Sequence, residues 1–169
     1  MYHADKYKES NDSLKRFCDV FNATSAKLGG EIIFDISQKE NFRDDGKIIY
    51  KPTNEIILFD WEKRHTYYGT CGGFNFKTFG QFERKMRKVE IRLSIQCSTD
   101  EKCFIIAWHD DFKKEAVETV GSVTASGSKE YDGKRFTTKF KEISYQEMEI
   151  FYNILSKAFV SKNYDATTF

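Results

Sequence analysis

The chain has 169 residues, enough for one domain with a sizeable core. An apolar share of 40% and an aromatic share of 16%, with 16 Phe and 9 Tyr, exclude intrinsic disorder. A net charge of +1 excludes a global basic field, so any nucleic-acid surface has to come from local clustering.

No apolar stretch reaches the length of a membrane span, and "MYHADKYKESNDS" lacks the apolar centre of a signal peptide. These features read as a cytoplasmic protein. Cys18, Cys71, Cys97 and Cys103 form no CxxC pair, which in a reducing compartment predicts free thiols. His65 with Cys71, Cys97 and Cys103 could be drawn together around zinc, but their five-residue gaps are not the usual short spacings. Free cysteines are the expectation.

In chain order, Ser10, Asn11 or Asp12 can cap a first helix. Leu14, Phe17, Cys18, Phe21 and Leu28 share one face, and Gly29-Gly30 ends it. "EIIFDIS" reads as a strand with Ile32, Phe34 and Ile36 on one side. "NFRDDGKIIYKPTNEIILFDWEKR" gives a turn, a strand, a tight "KPTN" turn fixed by Pro52, and a second strand.

The loop "YYGTCGG" precedes a helix in "FKTFGQFERKMRK", where Phe79, Phe82 and Met86 recur at helical spacing. "VEIRLSIQC" alternates Val89, Ile91, Leu93, Ile95 and Cys97 against Glu90, Arg92, Ser94 and Gln96, which predicts a half-buried strand. "CFIIAWH" should pair with it across "STDEK", followed by a short polar helix in "DDFKKEAVETV". "GSVTASGSKEYDGK" is the best candidate for a mobile loop.

The strand "RFTTKFKEI" then leads to a last helix. There Ser144 and Glu147 form a capping box, and Ile143 with Met148 a hydrophobic staple. Met148, Phe151, Tyr152, Leu155 and Phe159 form its buried stripe. The whole predicts one domain over 1–169 of α/β or α+β class, a single central mixed β-sheet flanked by helices, with a strand–helix extension at 134–160.

The strand end "DWEKR" carries the chemistry. On a strand, residues i and i+2 share a face about 7 Å apart, so Asp60 and Glu62 project together. Adjacent carboxylates repel unless a cation or proton lies between them, and a hard divalent metal with oxygen ligands suits the arrangement. A hairpin turning at "KPTN" brings Asp44 or Asp45 to the same end as Asp60.

Acid, strand, turn, strand, then acid-x-acid resembles the PD-(D/E)XK, restriction-endonuclease-like nucleases. The surrounding order is also similar: a leading helix, three strands, a helix carrying Gln81, then two strands, over about residues 10–110. The resemblance implies Asp45 and Asp60 as metal-binding acids, with Glu62 at the place of the family's usual water-activating lysine. Lys63 would then assist electrostatically, if the strand end bulged enough to bring it round. It further implies Mg²⁺ or Mn²⁺ as cofactor, DNA as substrate, and a homodimer to cut both strands. Arg84, Lys85, Arg87 and Lys88 would hold phosphates, with Lys51, Lys63 and Arg64 adding to that surface and Tyr67 and Tyr68 stacking on bases, while Gln81 could orient the attacking water or a phosphate, or simply hydrogen-bond a loop.

Each feature has a plainer reading. "DWEKR" is then a solvated strand end, Asp45-Gly46 a turn dipeptide and the basic run a wet helix face. His109, beside Asp110 and Asp111, reads first as a satisfied histidine at a helix start. The competing function is a non-catalytic, protein-binding accessory module of phage or plasmid type, favoured by the near-neutral charge.

Overall fold

The computed structural model describes residues 2–36, 45–63, 79–86, 90–119 and 135–169. Helix α1 (Tyr2–Lys27) starts well before the expected caps. The segment contains no Gly or Pro, and the weak preference of Ser10, Asn11 and Asp12 for caps does not outweigh propagation of an established helix. Leu14, Phe17, Cys18 and Phe21 are buried as expected, whereas Leu28 lies past the helix end and is exposed. Gly29 and Gly30, at φ 111° and 70°, let the chain turn back so that Gly30 donates to the Ser25 carbonyl at 2.7 Å.

Strands β1 (Ile32–Asp35), β2 (Gly46–Tyr50) and β3 (Glu55–Lys63) form an antiparallel meander. Helix α2 (Phe79–Met86) lies in the connection to β4 (Leu93–Cys97), which runs parallel to β3. A parallel pair requires such a crossover, because no hairpin can join it. Strand β5 (Phe104–Trp108), helix α3 (His109–Thr119), strand β6 (Lys141–Ile143) and helix α4 (Met148–Ser161) follow. The six strands lie in sequential order in one mixed sheet, so the fold is α+β.

Two cores flank the sheet. On one face α1 and α4 pack over Phe34, Phe59, Trp61, Ile95, Phe104 and Ile106. On the other, Phe79, Phe82, Phe112 and Phe136 pack with Ile105 and Ala107. Strand β4 is consequently buried on both faces, not half-buried as its alternation predicts: Ser94 and Gln96 are 0% exposed. Strand β6 is shorter than expected because Phe136 enters the second core, 4.0 Å from the Phe79 ring and 4.4 Å from Phe112, instead of continuing the ladder.

The last helix begins as expected. The Ser144 amide donates to Glu147 Oε1 at 3.1 Å, and the chain enters α4 through a 3-10 turn at Tyr145–Glu147. Its buried stripe gains Ile154 and Ala158.

The cysteine expectation holds for Cys18 and Cys97, both free and buried, but not for Cys103, which is disulfide-bonded. Spacing along a chain does not reveal which Cβ atoms come within bridging distance; the tertiary fold does. The bond also excludes Cys103 from a zinc set. Cys71 and His65, like the "GSVTASGSKEYDGK" loop, lie outside the described residues.

Gly46 opens β2, facing inward with no left-handed φ, so Asp45-Gly46 is not the turn dipeptide of the plain reading. Its glycine is a packing requirement. A Cβ there would lie 2.6 Å from Ile36 Cγ2, 2.8 Å from the Asp35 carbonyl oxygen and 2.8 Å from Phe59 Cε1. Gly46→Ala should therefore destabilise the protein by about 1–3 kcal/mol through overpacking. The check is a lower denaturant midpoint at unchanged slope.

Candidate functional site

Strand β3 separates two environments by its period of two. Ile57, Phe59, Trp61 and Lys63 point into the α1 layer and are buried. Asp60 and Glu62 share the opposite face, Glu62 half-buried and Asp60 only 1% exposed. A carboxylate withdrawn this far from water is not a solvated strand end. That plain reading fails for Asp60.

Asp45 joins it across the hairpin. Gly46 stands opposite Phe59, which puts Asp45 at the same end of its strand as Asp60. The Asp45 amide donates to the Phe59 carbonyl at 3.0 Å, and its Oδ2 accepts the Trp61 amide at 2.7 Å. The side chain thus closes the ladder where the backbone of β2 leaves it. One carboxylate oxygen is committed to the sheet, and the group is fixed beside the Asp60–Trp61 peptide.

On the other side, the parallel register sets Asp60 beside Ser94 and Glu62 beside Gln96. Ser94 Oγ lies 2.6 Å from Nε2 of His109, both fully buried. His109 is the first residue of α3, where its backbone amide donates to the Arg92 carbonyl at 2.8 Å. Its ring packs between Phe82 and Phe112. It stands at a helix start as expected, but the expected satisfaction is shown only for Nε2, through Ser94, the partner the sequence did not disclose, and not for the buried Nδ1. The missed signal was polarity on a strand flanked by apolar strands, where Ser94 and Gln96 read as solvent-facing.

Lys63 does not reach this face. Strand β3 stays regular to its end, with Lys63 beside Cys97, so the bulge that would swing it round is absent there. Its Nζ lies 2.8 Å from Ser13 Oγ, 3.0 Å from Glu9 Oε1 and 3.7 Å from Glu101 Oε1, with the side chain 4% exposed. Arg16 also grips Glu101, at 2.6 and 2.8 Å, and the Tyr145 hydroxyl donates to it at 3.1 Å. This network ties α1 to the β4–β5 turn, where Glu101 has φ 59°. It holds the fold and leaves Lys63 no part beside Asp60.

Of the expected phosphate contacts, Arg84 is exposed on α2, and Gln81 and Lys85 belong to the same helix. Asp44, Arg64, Tyr67, Tyr68, Arg87 and Lys88 lie outside the described residues. The donors at the strand end are all carboxylate oxygens, which fit a hard cation held by one or two carboxylates and completed by water. Among the described residues, no three His, Cys, Asp or Glu side chains stand together as a metal group. No described helix is long and apolar enough to cross a membrane. No family model, curated protein or solved structure matches the chain.

The Lys63 network yields a pH prediction. Hydrogen bonding from Arg16, opposed by burial and aided by Ser13 and Tyr145, holds the Glu101 carboxyl down at about 2. A depressed folded pKa contributes stability above the ordinary value of about 4.3, lost as pH falls towards 2. Glu101→Gln should therefore destabilise at pH 7, with the gap to wild type narrowing between about pH 4.5 and pH 2. Thermal unfolding of both proteins across that range checks it.

Proposed function

We propose that the protein is a Mg²⁺-dependent DNA endonuclease of the PD-(D/E)XK kind. The observation that carries this reading is the Asp60 carboxylate, 1% exposed on β3, with Asp45 secured at the matching end of β2 and Glu62 on the same face. The element order supports it too: a leading helix, three antiparallel strands, a helix, then two strands. Neither argument depends on net charge, which is near zero.

In this reading Asp60 and Glu62 hold the cation, and Asp45 stands alongside, oriented by the Trp61 amide. Mg²⁺ or Mn²⁺, when bound, supplies an activated water and stabilises the departing oxyanion of the phosphodiester. The buried Ser94–His109 pair forms the floor next to Asp60, and the exposed Arg84 of α2 faces the nucleic acid. Cleaving both strands of a duplex calls for a homodimer. The same reading places the protein in the cytoplasm, where the Cys103 disulfide would be open to reduction.

The competing reading, a protein-binding module, draws on Ile56, 51% exposed on the same face as the acids and paired with Ile49. Metal separates the two. Wild type should nick supercoiled plasmid with Mg²⁺ and not with EDTA, and Asp60→Ala should lose that activity while keeping its fold. In thermal unfolding, Ca²⁺ should stabilise wild type by about 2.7 kcal/mol at a hundred times its dissociation constant. Asp60→Asn should erase most of this shift. No metal-dependent shift in either protein, and no nicking, would leave the binding module in possession.

A further inference from the structure

We propose that Lys47 of β2 is the cation that holds a nucleic-acid phosphate against the acidic strand end, the place that Lys63 cannot fill. The inference rests on the nuclease reading for its meaning, but its geometry is independent. Lys47 stands opposite Leu58, one pleat from the end where Asp45 and Asp60 meet. Alternation puts Lys47 on the face of Leu58, Asp60 and Glu62, since its neighbours Gly46 and Ile48 point into the α1 core. The diagonal from position 47 to position 60 on such a ladder is about 7–8 Å, a span that a lysine side chain covers.

The state of the two lysines decides between them. Lys63 is buried and gripped by Ser13, Glu9 and Glu101, so turning it towards Asp60 would break these contacts and leave Glu101 to Arg16. Lys47 is exposed and enters no ion pair or hydrogen bond among the described residues. Its four-carbon stem can lie along Ile49 and Leu58 while the ammonium swings between solvent and the acids. Carboxylates alone repel a phosphate; a cation one pleat away makes the same surface acceptable to it. Asp35, opposite Lys47 on β1, limits the positive field to that point.

The test is fluorescence anisotropy of a labelled DNA duplex against salt, in Ca²⁺, for wild type, Lys47→Met, Lys47→Arg and Lys51→Met. Lys51, which the sequence set on the phosphate surface, stands instead in the β2–β3 turn, at the opposite end of the hairpin from Asp45 and Asp60, and so controls for general loss of charge. Lys47→Met should lower the magnitude of the log–log salt slope by about 0.9, the value for one phosphate contact. Lys47→Arg should keep the slope, and Lys51→Met should leave it unchanged. An unaltered slope in Lys47→Met, equal falls in Lys47→Met and Lys51→Met, or no binding by wild type overturns the inference. Plasmid nicking by wild type, run alongside, tests the nuclease reading separately, so that a phosphate contact without nicking removes the activity and keeps the contact.

Discussion

The ring of Phe17, fully buried on α1, is the contact around which the larger core is organised. It meets Phe34 of β1 at 5.9 Å, Trp61 of β3 at 5.3 Å, Phe104 of β5 at 4.8 Å and Phe151 of α4 at 5.9 Å. One side chain therefore joins three strands and two helices. Aromatic pairs at these separations add to the burial of their area, and truncating a buried Phe typically costs about 3–5 kcal/mol. With Trp61 held inward by this packing, period two leaves Asp60 and Glu62 no choice but the other face. The core thus orients the acids without touching them.

That arrangement has an energetic cost. A buried carboxylate needs hydrogen bonds or a counter-charge, because desolvation disfavours its ionised form. The two faces of β3 at its C-terminal end have different surroundings. On the α1 side the charges cancel: Lys63, Arg16, Glu9 and Glu101 compensate one another and clamp the β4–β5 turn. On the other side Asp60 and Glu62 lie beside Ser94 and Gln96 of β4, with Asp45 at the matching end of β2.

Much of the fold was legible in the chain. The apolar spacing of Leu14, Phe17, Cys18 and Phe21, the "KPTN" turn and the Ser144–Glu147 capping box are local signals, set by chain geometry within a few residues, and each stands where the sequence put it. Asp60 and Glu62 on one face and Lys63 on the other followed from alternation alone. Other features needed the third dimension. Whether β4 is covered on its polar face depends on Phe79, Phe82, Phe112 and Phe136 arriving from distant segments. The same holds for the late start of β6, since Phe136 ahead of it packs into the second core.

The sequence by itself determined the element types, the class of fold and the sidedness of β3, because propensity, capping and periodicity act over neighbouring residues. The tertiary structure alone decided which polar residues are buried, that Ser94 meets His109, that Asp45 closes the ladder on the Trp61 amide, that Cys103 is bridged, and that Lys63 is locked while Lys47 stands open. Each of these depends on a register or on a partner far away along the chain. Such contacts are selected by the packing of whole layers, and no local pattern encodes them.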